Sequence, residues 1–331
     1  MKSVAAAVRL RQISEPEGHL LLRQPGLFPE VIQPLMTKKR CAFLTMENTD
    51  GWSIDSDLSF EPMRTLGWAI DEIPWRSANA DWNQFDAVYI NTPWDYPDDP
   101  ELFIALLDSI DASSAILVND IALVHWNLPK TYLRDLETRG AAIVPSLWHD
   151  EFDREALPGF FDAHRCDRII IKPVVSTNAL NTFLLNRAVP AKTIEELEKT
   201  FAARPFVVQP FIDNVQGEGE YSLFFFSNEF SHAILKTPKD NDFRVQEEYG
   251  ARLTPTEPES ELLETATAVL NLVEPTPVYA RCDFLRGADG RFLLMELELI
   301  EPSLYLRMDS EAPMRFARAF DAYVARSKAS P

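Results

Sequence analysis

From Cys41 to about Val124, short apolar runs alternate with amphipathic stretches, the pattern of βαβ units that feed a parallel sheet. Cys41 to Thr45, Trp68 to Trp75, Phe85 to Ile90 and Ala115 to Val118 read as four strands. Helices are predicted over Glu61 to Leu66, stopping at Gly67, and over Pro100 to Ile110. Asn91 to Tyr96 then falls at the C-terminal end of the third strand, where open α/β sheets carry their ligand loops.

The pattern changes in the second half. A helix is predicted from Pro129 to Arg139, with proline in the first turn where its missing N–H costs nothing. Strands follow at Ala142 to Val144, Arg168 to Lys172 and Phe206 to Gln209. Tyr221 to Ser227, Phe230 to Lys236 and Phe243 to Val245 read as an antiparallel meander that first turns at Ser227 and Asn228. Glu259 to Leu272 repeats apolar residues at helical spacing. A last hairpin, Tyr279 to Leu285 and Arg291 to Leu299, turns through Arg286 to Gly290. The class is therefore α/β, passing into α+β. Met1 to about Arg40, with Pro16, Pro25, Pro29 and Pro34, is expected to be a loosely structured extension.

With 331 residues, two domains are expected. Lys and Arg number 32 against 51 Asp and Glu, a net charge of −19 that argues against a nucleic-acid partner. Apolar residues make up 46%, enough for a core, and no run reaches the ~18 residues of a membrane span. Cys41, Cys166 and Cys282 form no C-x-x-C pair, so neither a disulfide framework nor a zinc site is indicated and a cytoplasmic setting is expected. There are 11 glycines where usage of about 7% predicts about 23. Neither G-x-G-x-x-G nor G-x-x-x-x-G-K-[ST] occurs, which sets aside the standard dinucleotide and P-loop classes. A nucleotide would have to be held mainly by side chains.

Three features could carry that chemistry. In the last hairpin Glu296 and Glu298 alternate on one face, opposite Asp283 on the neighbouring strand, with Arg281 on the same face as Asp283. Such acids are either a solvated strand face or an oxygen-ligand site for Mg²⁺ or Mn²⁺. If the three carboxylates repel one another, neutralising Glu296 should cost little stability. Lys130, after Pro129, and Lys172, closing an apolar strand, are either snorkelling charges or phosphate ligands. Phe206 to Ile212 is an apolar strand running into an extended segment, which an adenine slot and an ordinary edge strand both resemble. His125 and His232 read as structural histidines, Cys282 as core, and Trp94 to Tyr96 as either a ligand loop or interface packing.

In chain order, the motifs Trp126 to Leu133, Ile171 to Pro173, Gln209 to Ile212, Gly219 to Ser222, Ser231 to Lys236, Phe243 to Gln246, Tyr279 to Phe284 and Met295 to Leu304 resemble the ATP-grasp superfamily. Within it they are most similar to the glutathione-synthetase-like branch that contains the O-ureido-serine cyclo-ligases. The resemblance spans about residues 40 to 325. It implies a Rossmann-like pre-ATP-grasp domain over 40–124 and a two-lobed ATP-grasp domain over 125–331, after the extension at 1–39. It also implies that Lys130 and Lys172 hold the phosphates of ATP, that Gln209, Pro210, Phe211 and Ile212 read adenine, and that Glu220 binds ribose. Asp283, Glu296 and Glu298 would ligate Mg²⁺, with Mn²⁺ as a substitute. Glu298 stands where the superfamily usually has Asn, an added charge that should tighten the metal. Arg281 would steady the transferred phosphoryl group, and Lys236 and Arg244 would grip phosphate and substrate carboxylate. The implied reaction is ATP-dependent activation of a small carboxylate as an acyl phosphate, followed by attack of an amine to form an amide or close a ring. The expected partners are amino-acid-like carboxylates and amines, with a homodimer as the family expectation and no membrane or nucleic acid. Kinase-like phosphoryl transfer and an idle nucleotide-binding module are the alternatives. The stretch after Lys172, Val174 to Thr182, lacks the glycines of the usual phosphate lid. Asn178 and Asn181 are its best candidates for left-handed backbone.

Overall fold

The computed structural model describes residues 38–77, 80–240 and 242–329. The expected extension at 1–39 thus lies outside them except for its last two residues.

A first sheet is built from β1 (Lys39–Thr45), β2 (Trp68–Pro74), β3 (Ala87–Thr92) and β4 (Ile116–Val118). They run parallel in the order β2-β1-β3-β4. All six residues of β3 are buried, as expected of a parallel strand covered on both faces. Helix α1 (Phe60–Thr65) precedes β2, and α2 (Pro100–Asp111) follows β3. The Asp99 carboxylate caps α2 by accepting from Leu102 N, Pro100 sits in its first turn, and Phe103, Leu107 and Ile110 face the core.

Two short helices lead into the second half, α3 (Ile121–Asn127) and α4 (Tyr132–Thr138). This corrects the single helix expected from Pro129 to Arg139. The Asp120 carboxylate accepts from Ala122 N and starts a helix upstream, so Pro129 and Lys130 lie in the turn between two helices.

The second sheet contains β5 (Leu147–His149), β6 (Arg168–Pro173), β7 (Phe183–Asn186) and β8 (Phe206–Pro210), antiparallel in the order β5-β8-β6-β7. Helices α5 (Leu157–His164) and α6 (Ala191–Phe201) bury Phe160, Phe161, Leu197 and Phe201 with its apolar residues. Ala142 to Val144, expected as a strand, makes a single parallel bridge at Ile143 with Leu294.

After the one-turn helix α7 (Asn214–Gly217), the third sheet is formed by β9 (Glu220–Phe226), β10 (Glu229–Thr237), β11 (Arg252–Pro255), β12 (Tyr279–Arg286) and β13 (Phe292–Glu298). Its order is β11-β10-β9-β12-β13, all antiparallel. Ser227 and Asn228 turn β9 into β10 with φ of 52° and 63°, the left-handed pair that a tight hairpin needs. Phe243 to Val245 is not the third meander strand. Asp242 Oδ1 accepts from the backbone N–H of Phe243 at 2.8 Å and of Arg244 at 3.0 Å, which removes the donors a ladder would use. β11 takes that place. α8 (Ser260–Leu270) covers the outer face with Leu262, Ala266, Val269 and Leu270, against Cys282, Phe284 and Leu297. The last helix, α9 (Ala312–Ala329), inserts Phe316 and Phe320 between the first and third sheets, where Phe320 meets Trp68 edge to face at 5.1 Å.

Candidate active site

The second and third sheets face each other across a cleft whose walls carry the ionisable residues named from the sequence. On the third sheet, register sets the arrangement. Asp283 is opposite Glu296, Arg281 is opposite Glu298, and Glu220 is opposite Lys236. Alternation sends all six side chains into the cleft and turns Cys282 and Leu297 to the core beneath α8.

Arg281 holds Asp283 with Nε at 3.0 Å and Nη2 at 3.0 Å from Oδ2, and Nη2 also bonds Glu298. Ser222 Oγ donates to Asp283 as well. Lys236 Nζ bridges Glu220 at 3.0 Å and Asp283 at 3.4 Å. Lys130 Nζ reaches across to Glu296 Oε1 at 2.6 Å and to the Ser176 carbonyl at 2.9 Å. Lys172 Nζ donates to Met295 Sδ at 3.5 Å.

These groups are buried, and burial decides their protonation. Desolvation raises Asp283 and Glu296, but Arg281 and Lys236 around the first, and Lys130 and Lys172 around the second, hold both below the ordinary carboxylate range. Glu298 is pushed up to about 8, first by desolvation and then by Asp283, Glu296 and Glu301; Arg281, already shared with Asp283, offsets this only in part. Glu301, just beyond β13, is pushed up to about 7 by desolvation. Glu220 is raised by burial despite Lys236. Desolvation lowers Lys172, with Glu296 opposing and Lys130 adding to the effect. For Lys236, desolvation and Arg281 oppose the ammonium, yet Asp283 and Glu220 win and raise it.

Among the described residues, no group of three or more His, Cys, Asp or Glu side chains forms a ready metal coordination sphere. Asp283, Glu296 and Glu298 share a face but are turned to Arg281 and Lys130. Their chemistry still suits a hard divalent cation: the donors are all carboxylate oxygens, and Glu298, raised first by desolvation and further by Asp283, Glu296 and Glu301, would regain its charge beside one.

Gln209 and Pro210 end β8, where Gln209 Nε2 donates to Ser146 Oγ at 2.9 Å. Phe211 and Ile212 continue beyond the strand and join Val215, Val245, Leu285 and Met295 in an apolar patch that borders the cleft. Arg244 lies at the rim, paired to Asp242 at 2.8 Å and stacked on Tyr249 at 3.8 Å. That contact holds the Asp242 carboxyl far below its ordinary range. The loop 174–182 roofs the cleft without glycine: Asn178, Ala179 and Asn181 adopt φ of 50°, 54° and 56°. Lys130 Nζ and Tyr249 Oη fasten it through the carbonyls of Ser176 and Asn178.

Sequence reasoning gave no role to several residues that the cleft includes. Glu301 belongs to the Met295 to Leu304 run but lies past the strand, where alternation no longer sets its direction. Trp52 lines the end of the cleft nearest the first sheet, together with Trp94 and Tyr96, whose segment the sequence offers as a ligand loop or as interface packing. Gln246 also lines it, and its Oε1 is buried without a hydrogen-bond partner. His125 sits outside, exposed and paired with Asp108 at 2.7 Å, and His232 is stacked on Phe224 in the core.

Residues 41–119 match the family model described as the N-terminal domain of D-cycloserine synthetase DcsG. The chain is 29% identical over 289 residues to the cycloserine biosynthesis protein DcsG of Streptomyces lavendulae, covering 82% of this chain and 95% of that protein. It resembles the crystal structure of D-cycloserine synthetase DcsG with a TM-score of 0.77 and 26% identity, over 86% of this chain and 99% of the other. Two further structures share the fold. The ATP-grasp ligase PsnB, complexed with minimal precursor, Mg and ADP, gives a TM-score of 0.58 at 16% identity, over 86% and 98% of the two chains. D-alanine–D-alanine ligase from Bacillus anthracis, complexed with ATP, gives 0.62 at 14% identity, over 88% and 98%.

Proposed function

We propose that this chain, whose fold is that of the ATP-grasp ligases, is an ATP- and Mg²⁺-dependent ligase that activates a small carboxylate and joins it to an amine, within one molecule or between two. The observation that carries this reading is the meeting of Lys130, Lys172, Lys236 and Arg281 with Asp283, Glu296 and Glu298 in one cleft. Mn²⁺ is expected to substitute for Mg²⁺.

Lys130 and Lys172 hold the phosphate oxygens of ATP as point charges, one from the α3–α4 turn and one from the end of β6. Lys172, its ammonium destabilised by burial, gains most from an arriving phosphate. Gln209 to Ile212 offer backbone groups and the apolar patch to adenine, and Glu220 accepts from ribose hydroxyls. Asp283, Glu296 and Glu298 hold Mg²⁺, which when bound neutralises phosphoryl charge. Arg281 steadies the phosphoryl group in transfer, with Asp283 fixing its guanidinium plane. Lys236 and Arg244 grip phosphate and the substrate carboxylate. The chain supplies position and charge, which is most of what phosphoryl transfer demands of a protein. No part of it needs a nucleophilic side chain.

The substrates fitting the cleft are amino-acid-like carboxylates and amines, and the relative named for cycloserine biosynthesis makes ring closure a natural variant. Residues 40–124 form the pre-ATP-grasp domain and 125–331 the ATP-grasp domain in this reading. No described helix is long and apolar enough to cross a membrane. Cytoplasmic placement and a homodimer complete the proposal. The test is the product: purified protein given ATP, Mg²⁺ and pooled amino acids should release ADP and phosphate and yield an amide detectable by mass, whereas a stable phosphorylated product would favour the kinase alternative.

A further inference from the structure

Five buried or half-buried acids line the cleft, and four have a protein cation. Glu220 pairs with Lys236, Asp283 and Glu298 with Arg281, and Glu296 with Lys130. Glu301, only 8% exposed, makes no ion pair with Lys, Arg or His among the described residues, and Lys130 acts on it only at longer range. Its side chain accepts from Tyr96, a neutral phenol, and from its own backbone N–H. A carboxylate buried with only neutral hydrogen-bond partners is costly, and it has lone pairs to spare.

Around it stands an aromatic wall that cannot fold away. Trp94 Nε1 donates to the Glu301 carbonyl at 2.9 Å, tying the ring to the backbone of that acid. Tyr96 is stacked on Phe103 at 4.7 Å. Between these two, Asp95 accepts from Trp75 Nε1 at 2.6 Å and so fixes the loop. Trp52 meets Trp94 at 5.0 Å between ring centroids. Its own loop is anchored where Asp55 accepts from Arg307 Nη1 at 3.0 Å. A buried anion beside indole rings that line the same cleft is the chemistry that selects an organic cation over a neutral isostere.

We propose that Glu301, with Trp52, Trp94 and Tyr96, forms the subsite that takes the protonated primary amine of the substrate and so makes the enzyme selective for amino acids over hydroxy acids. The proposal names a subsite within the ligase reading and rests on it for what the amine does afterwards. An ammonium donates to the free carboxylate oxygens while its carbon lies against the tryptophans. Glu301 thereby gains a cation in direct contact, where the protein offers only Lys130 at longer range.

The test is calorimetric titration of the full chain, with ADP and Mg²⁺ present, by glycine, D-serine and β-alanine and by their hydroxy counterparts glycolate, glycerate and 3-hydroxypropionate. At least one amino acid should bind about tenfold or more tighter than its hydroxy counterpart. In Glu301→Gln the two should bind within about threefold of each other, with ADP affinity unchanged. Trp52→Ala, at a half-exposed site where folding is safe, should weaken the amino acid about threefold and leave the hydroxy acid alone. Equal binding of the two series by the unaltered protein, no binding of either, discrimination retained in Glu301→Gln, or a lost Mg²⁺ response in that variant would each overturn the subsite. Were Glu301→Gln not to fold, unchanged amino-acid affinity in Trp52→Ala would do so. ADP release with ATP is scored separately. Turnover without discrimination removes the subsite and leaves the ligase, whereas discrimination without turnover removes the ligase and leaves the subsite.

Discussion

The Lys130 ammonium lies 2.6 Å from the Glu296 carboxylate, joining the turn between α3 and α4 to the last strand of the third sheet. The lysine proposed to hold phosphate and the glutamate proposed to hold Mg²⁺ thus neutralise each other. This changes the prediction for Glu296. The sequence suggests that its carboxylate is merely repelled by its neighbours, so that Glu296→Gln should be nearly free in stability. Lys130 and Lys172 instead hold its pKa below the ordinary value, so its charge is stabilising. Glu296→Gln should lower stability by about 1–3 kcal/mol and reduce kcat by about a hundredfold or more. Chemical denaturation and ADP release measure the two effects.

A second prediction concerns pH. Glu298 and Glu301 titrate near 8 and 7 when folded, well above a carboxylate in the unfolded chain. The folded state therefore binds more protons than the unfolded state, and stability falls as pH rises toward 8. His232, lowered to about 4 by burial, acts in the opposite sense, but only up to the unfolded histidine value near 6.5. Between pH 6.5 and 8 the glutamates alone of these three set the slope. The ligand-free protein should lose on the order of 1 kcal/mol there, and Glu298→Gln should flatten the loss. Melting temperatures at a series of pH values check it.

The lid makes a third. Ala179 holds φ of 54° without being glycine. Ala179→Gly removes the left-handed strain and adds unfolded-state entropy of similar size, leaving stability within about 1 kcal/mol. Ala179→Val, β-branched and worse in that region, should raise the KM for ATP several-fold while changing kcat little. Steady-state kinetics at varied ATP read both.

Gly219 is a place where the scarce glycines are indispensable. Its φ is 117°, and a Cβ there would lie 2.6 Å from the Lys236 carbonyl oxygen, a backbone atom with nowhere to go. Gly219→Ala should cost on the order of 1–3 kcal/mol and shift Glu220 against Lys236. Loss of ADP affinity together with stability is the expected signature. Full ADP affinity at reduced stability would detach Glu220 from the nucleotide.

Much of this was legible because strands repeat every two residues. Alternation alone puts Arg281 and Asp283, Glu296 and Glu298 on one face, and the register places them there. The first sheet was readable for a different reason, its buried strands being continuous apolar runs. Capping carboxylates defeated the reading elsewhere. Asp120 starts α3 before Pro129, and Asp242 withdraws two N–H groups from an expected strand. The long helix α9 was missed, although it carries Phe316 and Phe320 into the core. Glu301 lies beyond the end of β13, and Trp52 and Trp94 come from separate loops. The strand end marks Asn91 to Tyr96 as a candidate ligand loop, but only tertiary contact joins Trp94 to Trp52 and Glu301.

Single-turnover product analysis tests most directly whether the cleft couples ATP cleavage to amide formation. Protein mixed with ATP, Mg²⁺ and amino acids, quenched and separated by mass, should give ADP, phosphate and one amide in equal amounts. Lys130→Met, lacking the phosphate-side charge, should give none of the three. ADP formed without any amide, or an amide formed equally well by Lys130→Met, would contradict the account.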